Sequence, residues 1–574
     1  MPNGCRYHLT VVAGLLALSC LVQVLAVSRS VVPGLDAVRF VGIAQSIDEQ
    51  GIADTLEAEG EQPLFPAWVA LVHRVQVGIA GDSSSAWAKS VQTAAAVPLV
   101  LAIVPLYLAL LRMVGARSAA AACVFFCLLP EVARLGADGL SDSTHLLFFC
   151  VAFWAIVEYL QGTPLKTWKT WPPAVCHVDA DGTADKHGGE SVDMNAELAA
   201  MSLPKPEEHN GYSPHHGWLL LAGAAAGAAI LARAETLVLV AALGTAAIIF
   251  QLLPRYRMAW SRLAASLCAF ALGLAFLLGP YLLLVSPTTF QTAADRILGR
   301  FKAEERDMDE LDDWRLPNGE PMAFTVREPT TSIRHRGFAA AIVRFGRKLA
   351  DAYGYWIGGL ALLGAWLLRR ESTRRIDRFV QIFFALFSLL AIRFAAREGY
   401  MDARHVIPLV VVGIGCAGSG GPWLGEKLTA KMRLKLSAAW LVVALAAAMC
   451  VPRLLVPLHH SRLGHRQAAE WISAQAETPG AVLDTHGWTG LYSGRRTYGY
   501  DDARRAFSDP QLIYVVVEEE ELRHDSGRAR TLGRLIELAG KRVATFPSIA
   551  DSAANRRQVV IYRWEAERFK AAGY

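Results

Sequence analysis

The chain has 574 residues, 53% of them hydrophobic, and a mean hydropathy of +0.29. It is too apolar for a soluble protein of this size, and apolar runs of roughly 18 or more residues recur, as in membrane-spanning helices. The formal net charge of +5 is small, so where the basic residues sit says more than their total, and nothing marks nucleic acid as a partner. The chain has nine cysteines, almost all in or beside apolar runs, with no CxxC pair and none after Cys450. This excludes a disulfide framework or a thiolate zinc site as the basis of the fold. Cys123 and Cys127 share a helix face inside an apolar run, where packing is their expected role.

In chain order, Arg6 and His8 precede an apolar run from about Leu9 to Val27. It is long for a signal-peptide core and lacks a small-x-small cleavage site, so it reads as the first span. The loop from Val32 to Gly51 opens with the Pro33-Gly34 turn, presents an acid at Asp36 and then becomes amphipathic. Phe40, Ile43, Ala44 and Ile47 recur there at helical spacing among charged and polar residues. Such a helix is expected to lie in the membrane interface with its apolar face in lipid, holding Asp36 at the edge of the water. Taken alone, Asp36 also reads as a helix N-cap.

A short helix headed by Pro63 and Pro66 follows, over Glu61–His73, too short to cross. Spans two to four are expected near Val91–Leu111, Ala119–Leu129 and Thr144–Leu160, with a polar loop Pro130–Asp142 before the last of these. The hydrophilic insert 161–216 reads as a flexible cytoplasmic loop. Its histidines (His177, His187, His209, His215, His216) match no metal-site spacing. Spans five and six, Trp218–Leu231 and Leu237–Leu253, form a hairpin broken at Ala232-Arg-Ala-Glu235, and span seven covers Leu263–Val285. A polar stretch from Ser286 to about Lys348 contains the acidic run Glu304–Asp313. Spans eight and nine are Tyr353–Leu368 and Phe379–Ala395; span ten begins near Val406 after Arg397–His405, and span eleven is Leu436–Val456.

The basic loops between these spans set the orientation. With the N-terminus inside, the loops 112–117, 161–216, 254–262, 369–378 and 420–436 face the cytoplasm. Asp36, the 130–142 loop, Arg233-Ala-Glu235, the acidic run and Arg397–His405 then face outward. The expected fold is a mainly α, polytopic helical membrane domain of about eleven spans over 1–458, with a small α/β domain over 459–574 outside. In that tail Gln467–Ala476 and Thr531–Ala539 read as helices, and Gly480–Asp484, Leu512–Val517 and Gln558–Arg563 as strands.

Several polar groups from separate loops share the outer side: the carboxylates Asp36 and Asp142, and the basic groups Arg233, Arg397, Arg404 and His405. Charges at such depth are costly and mark a pathway or a site. Cations can hold a phosphate and stabilise the charge left on it, while a carboxylate can deprotonate an acceptor. Singly, each has a plainer reading: Asp142 as a cap of span four, Glu235 as partner of Arg233, Arg404 as a snorkelling side chain.

At these residues the chain resembles the multi-spanning C-type glycosyltransferases of the protein O-mannosyltransferase and aminoarabinose transferase group. The shared pattern is Pro33-Gly-Leu-Asp36 with its amphipathic helix, Pro63-Leu-Phe-Pro66, Leu140-Ser-Asp-Ser143, Leu231-Ala-Arg233 and Arg404-His-Val-Ile-Pro408. It extends loosely over about the first 410 residues. Ala37 stands where many relatives carry Glu, and His405 where Tyr is common. The resemblance implies a lipid-facing cavity in a bacterial inner membrane, a polyprenyl-phosphate sugar donor, inversion at the sugar carbon, and a lipid, glycan or protein acceptor. It implies Asp36 as catalytic base and Asp142 as a second acid, with Arg233, Arg404 and His405 at the donor phosphate. No cofactor is required by the pattern, and a divalent cation is left open. The competing class is a transporter or flippase of a lipid-linked or anionic solute, and a third is an inactive scaffold presenting its outer domain.

Overall fold

The structure, a computed structural model, describes residues 3–59, 62–81, 83, 85–162, 215–284, 315, 322, 337–369, 374–432, 438–475, 480–547 and 557–573. Most of the insert 161–216 and the acidic run 304–313 lie outside the described residues. Among the described residues seven helices are long and apolar enough to cross a membrane, or eight if Ala116–Leu128 and Pro130–Ala137, bent by 55°, make one broken span. Shorter apolar helices at His216–Ala232, Trp356–Leu368 and Trp440–Leu454 supply the remaining expected spans. The protein is therefore a multi-pass membrane protein. The helix Leu64–Ala80 is the proline-headed segment expected not to cross.

The helices are, in order, α1 (Asn3–Ser28), α2 (Leu35–Gln50), α3 (Ile52–Glu59), α4 (Leu64–Ala80), α5 (Ala86–Leu101), α6 (Ile103–Val114), α7 (Ala116–Leu128), α8 (Pro130–Ala137) and α9 (Asp142–Gln161). After the insert come α10 (His216–Ala232), α11 (Leu237–Leu252), α12 (Trp260–Leu284), α13 (Phe338–Ala352), α14 (Trp356–Leu368), α15 (Arg375–Glu398), α16 (Ile407–Met432) and α17 (Ala438–Ala448). α9 is buried on most of its surface, and its Phe149 and Phe153 meet Phe383 and Phe379 of α15 at ring separations of 5.7 and 6.4 Å. In lipid such close packing, rather than hydrophobic exclusion, holds helices together.

One close helix crossing depends on glycine from both sides. A Cβ at Gly223 of α10 would lie 2.0 Å from the Phe270 carbonyl oxygen of α12, and one at Gly273 would lie 2.0 Å from that of Leu220. Backbone meets backbone at both points, so neither side can yield by changing a rotamer. Gly223→Ala is expected to destabilise the protein in detergent by about 1–3 kcal/mol through overpacking. Gly244→Ala, with nothing within 4 Å, is the control, and equal thermal midpoints for the two variants would refute the close-packing account.

The C-terminal part carries a five-stranded sheet of order β2-β1-β3-β5-β4, with β1 Ala481–Asp484, β2 Thr497–Tyr498, β3 Leu512–Glu518, β4 Gly540–Phe546 and β5 Val559–Trp564. β2, β1 and β3 are parallel, and β5 and β4 run antiparallel to their neighbours. The three strands expected from sequence are β1, β3 and β5. The two others escaped because β2 has two residues and β4, Gly-Lys-Arg-Val-Ala-Thr-Phe, is a basic edge strand with no apolar run.

Three expectations are corrected. The apolar face of α2 does not lie in lipid: Ala37, Val41, Ile43, Ala44 and Ile47 are buried in a cluster with Phe65 and Val69 of α4 and Trp488 of the C-terminal part. The stretch before Lys348 is not loop to its end, since Phe338–Ala352 is a helix whose buried residues Ala341 and Phe345 join the main core. The loop Pro130–Asp142 begins with the helical turns of α8, where Pro130 takes the first helical position that suits it.

Candidate functional site

The segment before α2 is tied down by backbone at both ends of a short path. Val31 N–H donates to the Leu458 carbonyl and Leu458 N–H to that of Arg29, both at 3.1 Å, and Gly34 N–H donates to the Asp138 carbonyl at 2.9 Å. A side chain at Gly34 would press on Asp138, whose carbonyl oxygen and Cβ lie 3.1 and 3.2 Å from the place of a Cβ. From the C-terminal part, Trp488 Nε1–H donates to the Pro33 carbonyl at 3.0 Å. Asp138 is itself buried and shares its carboxylate between His459, at 2.6 Å, and Arg134, at 2.8 Å.

This anchoring places Asp36 in the first turn of α2, where the helix dipole favours a negative charge. Gly34, not Asp36, is the N-cap, and no side chain caps this helix. The Asp36 side chain is 49% exposed, and its Oδ2 accepts from Arg404 Nη1 at 2.5 Å. Arg404 sits on the 3-10 turn Ala403–Val406 that leads into α16. Its Nε is buried without a hydrogen-bond partner among the described residues, with Asp402 Oδ2 at 3.8 Å.

A second constellation is more enclosed. Arg233 ends α10 in extended backbone. It donates Nη1–H to Asp142 at the start of α9, and it grips Glu235 with Nε and Nη2 at 3.1 and 2.7 Å. One guanidinium thus holds two carboxylates, in the forked geometry that makes such contacts strong. His145, one helical turn into α9, bonds Thr236 at 2.8 Å beside this triad. The two constellations act on each other: Arg404 feels the charges of Asp142 and Arg233 as well as Asp36, and His405 feels those of Arg233, Arg404, Asp142 and Glu235.

Thus Asp36 and Arg404, and Asp142 and Arg233, stand together as pairs, with His405 adjoining them. The His405 ring accepts from Asp402 N–H through Nδ1 at 3.2 Å, which leaves Nε2 as the protonated nitrogen of the neutral ring. Phe394 lies 5.0 Å from it. Arg397 is turned to Glu398, at 3.7 Å. Sequence reasoning gave no role to Asp138 or His459, residues far apart in sequence and joined only by folding. Glu235 was legible as the partner of Arg233.

Among the described residues one group of side chains could hold a metal ion: His465, His486 and Glu518 of the C-terminal part, with ligand atoms within 4.8 Å of one another.

No family model matches the chain, and no curated protein does. Among solved structures it is similar to ArnT from Cupriavidus metallidurans in the apo state, at 14% identity and a TM-score of 0.57, over 98% of this chain and 99% of that one. It is similar also to the same protein bound to undecaprenyl phosphate, at 14% identity and a TM-score of 0.54, over 96% and 97% of the two chains. At this identity the likeness is one of fold, and it extends from the membrane helices through the C-terminal sheet.

Proposed function

We propose that this protein is a membrane glycosyltransferase, moving a sugar from a polyprenyl-phosphate donor to a hydroxyl or amine of a lipid, glycan or protein acceptor. The observation that carries this reading is the Asp36–Arg404 pair: an accessible carboxylate, free of capping duty, held against a cation from a segment 368 residues away. The bound lipid phosphate of the ArnT structure with this fold supports the donor class.

In this mechanism the acceptor gives its proton to Asp36 as it attacks the sugar carbon, and the bond from that carbon to the phosphate oxygen breaks with inversion. Asp36 acts as general base. The departing polyprenyl phosphate carries the developed charge, and Arg404 meets it with the Nε–H that has no hydrogen-bond partner among the described residues. His405 offers its Nε2–H beside it. Arg233 contributes its field and holds Asp142 in place through their hydrogen bond, where Asp142 orients the acceptor. We take the end of the bundle that bears these groups to face outward, in the inner membrane of a bacterium, with 459–574 on that side as a separate domain and 161–216 on the other. A divalent cation, if bound, belongs to the C-terminal histidines rather than to these steps.

The test uses purified protein in vesicles carrying a radiolabelled polyprenyl-phosphate sugar. Acceptor-dependent release of polyprenyl phosphate is expected, and only when acceptor is supplied to the face bearing Asp36. Movement of the intact donor across the bilayer without cleavage would instead establish a flippase.

A further inference from the structure

We propose that His465, His486 and Glu518 form a binding site for one divalent transition-metal ion of the zinc class, at the joint between the C-terminal sheet and the loop that carries Asp36. The three residues come from three elements: His465 from the first turn of the helix Leu463–Ala474, His486 from the turn after β1, and Glu518 from the end of β3. Nothing in the local sequence brings them together, since they share no short metal-binding spacing. Two imidazoles and one carboxylate are a recognised ligand set for zinc with a fourth position open to water.

The distances suit an ion. Zinc bonds of about 2.0–2.2 Å at tetrahedral angles put ligand atoms roughly 3.3–3.5 Å apart. Here Glu518 Oε1 lies 2.9 Å from His465 Nε2 and 3.5 Å from His486 Nε2. The surroundings orient the rings as outer-shell groups do. Nδ1 of His486 meets the Thr485 hydroxyl at 3.2 Å, a group able to accept the Nδ1 proton and so leave Nε2 with the free electron pair that a metal needs. Asp484, wholly buried, takes the backbone N–H groups of His486 and Thr489 at 2.9 and 2.7 Å and so sets the turn. Trp488 packs on both rings, at 4.8 and 5.5 Å. His465 is fully buried while the His486 side chain is 18% exposed, which gives an ion a way in.

Glu518 is neutralised by Arg462, which donates to Oε1, with Arg557 3.6 Å from Oε2. An ion at Oε1 displaces Arg462, whose guanidinium already lies over Trp488, 5.1 Å from the ring centre. The site thereby bears on the Asp36 loop, because the same Trp488 donates to Pro33 and Gly487 closes on Val38.

The experiment takes the full-length protein in detergent, strips it with a chelator and reloads it with zinc alone, then with cobalt(II). Wild type is expected to bind about one ion more than His486→Ala and than Glu518→Gln, a variant that keeps the shape of the side chain and removes its charge. Cobalt at this site should give the intense visible bands of a four-coordinate ion, absent from both variants. Arg462→Gln, which removes the competing cation, should bind zinc more tightly than wild type. Equal metal content in wild type and both variants would overturn the proposal, as would loss of the cobalt bands from none of them. The reading of the transfer site does not depend on either result.

Discussion

Asp36→Asn is expected to lower turnover on the order of a hundredfold or more while leaving expression and thermal stability near wild type. The variant keeps size and one acceptor oxygen, so Arg404 retains a partner, and it takes away only the capacity to accept a proton. Two structural alternatives predict otherwise. As an N-cap, Asp36 could be replaced by Asn almost without cost, because Asn caps about as well; but Gly34 holds the cap position and no side-chain cap bond exists. As an ion pair at a half-exposed position, its value to stability is about 0.2–1 kcal/mol, too little to stop the enzyme by unfolding it. Single-turnover rates on a radiolabelled donor, measured beside thermal midpoints, separate these. Full activity in the Asn variant would return Asp36 to a structural role.

The two arginines should fail in different ways. Arg404→Ala is expected to weaken donor binding by about 1.5–3 kcal/mol, the value of a charge-assisted hydrogen bond, or roughly ten- to a hundredfold. Its partner Asp36 is 49% exposed and can be rehydrated, so folding should survive. Arg233→Ala instead leaves Asp142 and Glu235 facing one another with no cation, and the Asp142 side chain is only 9% exposed. Breaking a buried pair by removing one partner costs about 3–5 kcal/mol, so this variant should lose thermal stability first and activity with it. Arg233→Lys keeps the charge but not the fork that grips both carboxylates, and should fall between. Donor affinity and melting behaviour measured on all three decide the matter: an Arg404→Ala protein with wild-type affinity would remove Arg404 from the phosphate site, and an Arg233→Ala protein as stable as wild type would contradict the buried triad.

The apolar runs alone determined that the chain is a polytopic membrane protein, because a helix in lipid must satisfy its backbone internally and present apolar side chains over about twenty residues. The same logic made the buried strands β1, β3 and β5 legible, each a short β-branched or aliphatic run. Charges at span ends were legible as exceptions to that rule, which is why Asp36, Asp142, Arg233 and Arg404 could be named without coordinates. Their partners could not all be. Arg233–Glu235 is two residues apart and visible locally, whereas Asp36–Arg404, Asp138–His459 and His465–Glu518 span 368, 321 and 53 residues, and only the packing of helices and sheet decides such pairs. The amphipathic α2 shows the limit most clearly. Its periodicity fixes which face is apolar, but lipid and protein are equally acceptable partners for that face, and only the tertiary structure covers it with α4 and Trp488.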